Sequence, residues 1–487
     1  MTLELFIVIL YLIFCVYLGF ISQKSIAKSS SGVSEYYAAG QKIGTTVNAL
    51  AMLSALGSGG TFLALVGTLW GLGMSYVGWM FAGAIVGFPV ASILVARALR
   101  NSQQFTVSGF LNDRFYGSKF LKIAVPLVIV VGSGMYLMSQ LTAGGLLTIY
   151  VTGLSYEWSL LIISLVFILY VSMGGMLAVT WTNVLQGGTI VLIVLLIGVV
   201  GLINLPENWS QFFLGAVSEN EVLGSHGTIS ANLGVFITWA AAVCVAPHLI
   251  MRVFTASNVR SAKLSMNISM FIYATLLLVP FLIMIPYIPT LGEETLASHA
   301  SDMWLLLIVE QFFGPIIMGI IIAGLLAAVM SSTDALLLAT SSAVAYDLYN
   351  KVLNPDASRE KILKVSMIST WIIGIIVMLL ALNPPPFLIV LYTAAIGFMV
   401  CAFLAPMLLG IWWKKANTNG AIAGLTTGAL TYLISFFFFD MTSNTEILIA
   451  LPISFASMIV VSLLTKDSTV EGIAENKNYH RNIEEVS

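Results

Sequence analysis

The sequence predicts an all-α polytopic membrane protein, and three observations carry that reading. Of 487 residues, 59% are hydrophobic and 9% charged, with a mean hydropathy of +0.99; a soluble globular chain carries roughly 25% charged residues. The apolar residues gather into thirteen stretches, each near or above the roughly 20 residues that cross a bilayer. The basic residues gather in alternate loops, as they do when one set of loops faces the cytoplasm. The 41 glycines and 27 phenylalanines suit closely packed transmembrane helices.

The spans fall at about 3–21, 46–70, 75–98, 121–150, 158–175, 181–203, 231–252, 266–288, 307–347, 365–382, 387–411, 419–438 and 445–464. The first lacks a basic leader and a small-residue cleavage site, so it reads as a retained helix. Ser172-Met173-Gly174-Gly175, with Trp181 beyond it, reads as a tight interfacial turn between spans five and six. With thirteen spans all 20 lysines and arginines fall on one side, among them Lys42, Arg97, Arg100, Arg252, Lys263, Lys351 and Lys414. The opposite loops, near 204–230 and 289–305, hold acidic residues and no basic ones. The basic side is then cytoplasmic, with the N-terminus outside and the C-terminus inside. 'LPENWSQFF' at 205–213 reads as a short interfacial helix, and the chain from Asp467 onward as a mobile tail. Glu35, Glu157, Glu310 and Asp347 sit at span edges, where a charge is cheap, and no Lys or Arg falls in a span interior.

Two spans carry the marks of a broken helix. Span two contains Ser54-Ala55-Leu56-Gly57-Ser58-Gly59-Gly60-Thr61. A break there exposes carbonyls that only protein, water or an ion can satisfy; a close-packing glycine face explains the same residues, and both readings stay open. Span seven carries Ala246-Pro247-His248, where the proline removes a donor and strains the preceding turn. His248 reads as a packing or gating residue. Span nine presents Gly324, Ala328, Ser331, Ala335, Ala339 and Ser342 every three or four residues. That is a narrow, small, partly polar stripe on one face, with Ser332 and Asp334 beside it. At membrane depth such groups need an ion, a solute or a facing helix; helix packing alone is the other reading. Spans two to six and seven to eleven form two sets of five, each opening on an interrupted member and inverted relative to the other.

Other chemistries find no support. The four histidines have no carboxylate or cysteine at metal spacing, and Cys15, Cys244 and Cys401 lie in apolar runs without a disulfide framework. The glycine-rich stretches lack the Lys-Ser/Thr ending of a phosphate loop. Nucleic-acid-binding basic patches are missing, and no obligate protein partner is evident.

Four motifs, in order, carry a resemblance: 'GGMLAVTWTNVLQG' at 174–187, 'APHLIMRVFTA' at 246–256, 'AGLLAAVMSSTDALLLATSSAVAYDLY' at 323–349 and 'APMLLGIWWKKANTNGAIAG' at 405–424. From about Tyr36 to Gly424 the chain resembles the sodium:solute symporter family. The resemblance implies a LeuT-like fold of inverted five-helix repeats with about thirteen transmembrane helices. Residues 1–45 would be an extra first helix and cytoplasmic loop, 46–203 the first repeat and 204–230 an extracellular loop. The second repeat would take 231–411, two added helices 412–464 and the tail 465–487.

The resemblance also implies a sodium site built from the carbonyls of Ser54, Gly57 and Ala328 and the hydroxyls of Ser331 and Ser332. Asn183 stands where the family motif has Asp after Trp-Thr, which argues for one coupled Na+ rather than two; Asn183 and Asp334 are the candidates for coupling or an ion path. Ser58, Thr61, Tyr76, Gln140, Trp239, Ala242 and Thr393 are the candidate solute pocket or gate. That pocket lacks the long polar side chains a sugar needs. 'PPPFLIVLYTAAIGF' and 'WWKKAN' resemble the pantothenate and monocarboxylate branch, with the proline branch next. The expectation is sodium-driven symport of a small carboxylate or an amino acid such as proline across the cell membrane by alternating access. A proton-coupled or uncoupled carrier, a sugar symporter and a membrane solute sensor are the alternatives.

Overall fold

The computed structural model describes residues 2–28, 32–63, 65–116, 118–205, 207, 209–210, 228–292, 294–295, 299–384, 388–439 and 444–465. Of the interfacial helix expected at 205–213, residues 206, 208 and 211–213 lie outside them, as does the tail from Asp467 onward. The framing helices are α1 (Leu3–Lys28), α2 (Thr45–Leu56), α3 (Gly59–Phe62), α4 (Leu65–Leu94), α5 (Lys119–Thr152), α6 (Tyr156–Ile203) and α7 (Ile229–Val245). Then come α8 (Pro247–Thr255), α9 (Val259–Met284), α10 (Pro315–Ser342), α11 (Arg359–Leu380), α12 (Leu388–Trp412), α13 (Thr418–Phe438) and α14 (Glu446–Leu464).

Among the described residues eleven helices are long and apolar enough to cross a membrane. Two of the thirteen expected stretches are not among them. The second is divided: α2 has 12 residues and α3 only 4 before the chain runs on into α4. The eighth, 266–288, falls within α9 and the 3-10 segment Ile285–Leu291 that follows it. The expected turn inside α6 is present: Gly175 adopts φ 53° and ψ −158° and splits that 48-residue element into two spans. A side chain there would meet both a left-handed backbone and the Tyr36 ring, 2.5 Å from a Cβ.

Burial separates centre from periphery. In α10 and α12, 83% and 89% of the most apolar window is inside the protein, against 17% in α1 and 28% in α14. The outer helices show Ile13, Leu192, Phe271 and Phe438 on the surface, an apolar skin suited to lipid rather than water. α1 packs on α6 and α10, and α13 pairs with α14 against α12. Past Ser342 the α10 helix widens into an eleven-residue π-helix, Ala343–Leu353. It carries Asp347 inward: this residue, expected at a solvated edge, is buried and accepts from the Thr106 hydroxyl at 3.0 Å, with the Lys351 ammonium 3.6 Å away. Arg252 is a second correction. The sequence pattern sets it at the end of span seven, outside the span interiors, yet on α8 it is fully buried.

Candidate functional site

The first interruption explains its own geometry. In a continued helix the carbonyls of Ser54 and Ala55 would accept from the N–H groups of residues 58 and 59. Instead Ser58 N–H donates to the Leu56 carbonyl at 2.9 Å, and Gly59 N–H donates to Gln140 Oε1 at 3.1 Å. Ser58 then starts α3 as its cap, its hydroxyl accepting from Thr61 N–H at 3.2 Å. Gly59 has no room for a side chain: a Cβ would lie 2.7 Å from Ala143 Cβ and 2.8 Å from Val329.

The two freed carbonyls meet α10. Ser331 donates its hydroxyl to the Ser54 carbonyl at 2.7 Å and to its own helix at Ala328 at 2.9 Å; Ser332 donates to the Ala55 carbonyl at 3.1 Å. All five residues are buried. The cluster is made of hard, neutral oxygens, several of them backbone, the donor set that suits a small alkali cation. The structure thus brings together Ser54, Ala328, Ser331 and Ser332. Gly57 sits at the corner with its N–H on Leu53, and the carbonyl facing Ser332 is that of Ala55, which the sequence reading did not name.

The remaining expected residues sort differently. Ser58 and Thr61 lie together, hydroxyl to hydroxyl at 3.1 Å, and the Tyr273 hydroxyl adds a further 3.1 Å contact to Thr61. Gln140 accepts the Gly59 N–H freed at the break through its Oε1. Tyr76 has its hydroxyl taken by the Asn444 amide of the α13–α14 turn. Trp239 packs edge-on to Tyr392 at 5.6 Å, Tyr392 stacks on Tyr136 at 5.4 Å, and Tyr136 meets His248 edge-on at 5.3 Å. Within that aromatic cluster Trp239 Nε1 and His248 Nδ1 are buried with no partner among the described residues; Thr393, next to Tyr392, also has an unpaired hydroxyl. Ala242 is fully buried on α7, four residues before the second interruption. Tyr136, Tyr273 and Tyr392 were missed, since single aromatics in apolar helices give no sequence signal.

Asn183 is part of a buried chain of amides. With its amide turned to the orientation that satisfies both ends, its oxygen accepts from Arg252 Nη2 at 2.6 Å, and its nitrogen donates to Gln186 Oε1 at 2.7 Å and the Val179 carbonyl at 3.0 Å. Arg252 also donates to Thr180 Oγ1 at 3.0 Å. The place is therefore already served by a guanidinium. Asp334 is fully buried; its two oxygens have no hydrogen-bond partner among the described residues, and its polar neighbours Tyr11 and Cys15 are on α1.

Comparison with known proteins agrees with this architecture. The chain is 28% identical over 451 residues to the osmoregulated proline transporter OpuE of Bacillus subtilis (strain 168), covering 90% of this chain and 91% of that one. It is 27% identical over 436 residues to the sodium/proline symporter of Escherichia coli (strain K12), covering 86% of each. In structure it is similar to a sodium-coupled sialic acid symporter in a substrate-bound outward-open state, with a TM-score of 0.81 at 19% identity over 96% of this chain and 98% of that one. A nucleobase-cation-symport-1 family transporter in a closed conformation gives 0.52 at 15% identity, over 91% and 98%. At these identities the likeness speaks for the fold alone, an all-α multi-pass one with inverted-repeat packing. The sodium:solute symporter family model matches residues 36–428. The chain therefore belongs to the sodium:solute symporter family, as a multi-pass plasma-membrane secondary transporter, not an enzyme, that couples a small organic solute to sodium.

Proposed function

We propose that the protein moves proline, or a closely similar small amino acid or carboxylate, inward with one sodium ion per cycle. The observation that carries the reading is the pair of hydroxyls on Ser331 and Ser332 aimed at the two carbonyls freed by the break between α2 and α3. Sodium would be held by those carbonyls, the Ala328 carbonyl and the two hydroxyls, with Gly57 as a further backbone donor. Because α2 and α10 are separate elements, an ion gripping both favours the arrangement in which they face each other. Solute bound beside Ser58 and Thr61 is then linked to the ion through the same break. The compact aliphatic ring of a proline suits the aromatic walls of Tyr136, Trp239 and Tyr392. Its charged ends suit the unpaired polar atoms of Trp239, His248 and Thr393. The names of the proline transporters it is similar to support this choice over a monocarboxylate or pantothenate.

The buried Arg252 on Asn183 supports the single-sodium stoichiometry, because a second cation there would face a resident positive charge. In the same reading α2 with α3 and α9 complete thirteen spans in a LeuT-like arrangement, with the N-terminus outside and the C-terminus cytoplasmic. Purified protein in liposomes should accumulate labelled proline under an inward sodium gradient and not under potassium with a proton gradient. Equal uptake in both would overturn sodium coupling. Sodium-driven uptake of lactate or pantothenate, unaffected by excess proline, would overturn the solute.

A further inference from the structure

Away from the solute path, three helix ends meet around a cavity of about 150 Å3 lined by Ile93, Leu94, Arg97, Ala98, Lys263 and Trp412. Ile93 and Leu94 end α4, Arg97 follows in the short helix Ala96–Asn101, Lys263 lies in the second turn of α9, and Trp412 closes α12. The chemistry of the lining is divided. Arg97 and Lys263 stand close enough to repel each other. Neither is joined to a carboxylate: among the described residues the ion pair formed is Lys351 with Asp347, and Arg97 Nε is buried without a partner. The other side is apolar and faces outward, with Ile93 65% and Trp412 54% exposed. The Trp412 indole is fixed by its N–H on the Leu94 carbonyl at 2.9 Å, the posture of an aromatic at a membrane interface.

Two like charges held together without an acid call for an anion, and the exposed apolar wall calls for a hydrocarbon chain. We propose that this cavity binds the phosphate of an anionic phospholipid from the leaflet on the basic side, with an acyl chain lying along Ile93 and Trp412. Basic pockets between helix ends on that side are suited to such headgroups. A free phosphate ion shares the charge chemistry but makes no use of the apolar wall, which favours the lipid. An occupant here would tie the ends of α4, α9 and α12 together.

The test uses the purified full chain in zwitterionic micelles, titrated with phospholipids carrying brominated acyl chains. Fluorescence of wild type minus that of Trp412→Phe isolates Trp412. Brominated phosphatidylglycerol should quench it at roughly thirtyfold lower mole fraction than brominated phosphatidylcholine, as two basic contacts imply. The preference should collapse in Arg97→Gln/Lys263→Gln and survive in Lys414→Gln/Lys415→Gln, whose cations line no part of the cavity. Equal quenching of wild type by the two lipids overturns the proposal, whatever the variants do. So does an equal loss in the Lys414/Lys415 variant, which would mean general surface charge. Millimolar inorganic phosphate that abolishes the preference, where chloride at the same ionic strength does not, would make this a small-anion site and overturn the lipid assignment.

Discussion

The helix breaks between α2 and α3 and between α7 and α8 are finished in different ways. Between α2 and α3 the break is polar: its carbonyls take hydroxyls from α10 and its freed N–H takes the Gln140 amide. Between α7 and α8 the break is set by Pro247, which has no N–H for the Val243 carbonyl, while Leu249 N–H turns to Ala246 at 3.1 Å. What stands near this second break is aromatic, the run from Trp239 through Tyr392 and Tyr136 to His248. Interruption alone therefore fixes neither chemistry: one break meets hydroxyls brought from another helix, the donor set of the proposed ion site, and the other meets rings brought from other helices, the walls of the proposed solute pocket.

That contrast can be broken most directly at Ser331 and Ser332. Each hydroxyl removed leaves a buried group short of a partner, on the order of 1–3 kcal/mol, or roughly tenfold or more in apparent sodium affinity. Ser332→Ala should shift the sodium midpoint of uptake by about that factor and lower solute affinity at low sodium, with part of it recovered at saturating sodium. The double variant with Ser331→Ala should abolish sodium activation. Ser342→Ala, which removes a hydroxyl that donates to its own helix at Ala339, should leave the midpoint in place. An unchanged midpoint in Ser332→Ala, at normal membrane abundance, would reduce the α2–α10 contact to packing.

The second break should respond in the opposite sense. Trp239→Ala removes one wall of the aromatic cluster, and should raise the solute KM by about tenfold, from the loss of roughly 1–2 kcal/mol of ring contact. The sodium midpoint measured at saturating solute should hardly move. A sodium effect as large as the solute effect would show that the two breaks are not specialised. Gln140→Leu sharpens the comparison from the first side. It strands Gly59 N–H, and should weaken both sodium and solute about tenfold or less; a purely solute-contacting Gln140 would change solute affinity alone.

The smallest expected effect lies outside the spans. Asp302 is in the short segment Ser301–Met303, which presses Ser301 against Gly67 and sets the Asp302 carboxyl beside the first described backbone N–H of α12, at Leu388. Burial raises its pKa from 3.8 to about 6, against a smaller lowering by that N–H. A raised folded pKa means the native state holds the proton more tightly than the unfolded chain. The stabilisation is then complete below pH 3.8 and is lost as pH rises to about 6. The thermal midpoint in detergent should fall by a few degrees between about pH 4 and pH 6.5, and Asp302→Asn should flatten the slope. An identical slope in Asp302→Asn would assign it to other groups.

Much of this was written in the chain itself. Apolar run lengths and the grouping of basic residues set a helical membrane protein. Gly175, the Ser54–Thr61 stretch and Pro247 each marked a turn or break that is present, because a missing N–H or a missing Cβ acts locally, within one turn of helix. The small stripe on α10 likewise predicted a close neighbour.

Identity of the partner was a tertiary decision. Ser54 and Ser331 are 277 positions apart, and no periodicity states whether Ser332 will face Gly57 or Ala55. Nor does it tell that Gln140 will cap Gly59, that Asn444 will draw Tyr76 aside, or that Arg252 will be buried against Asn183. Sequence pattern records how each residue suits its own helix and which face is hidden. Which oxygen meets which hydroxyl depends on rotations and offsets between helices, and those are set by the summed packing of all of them.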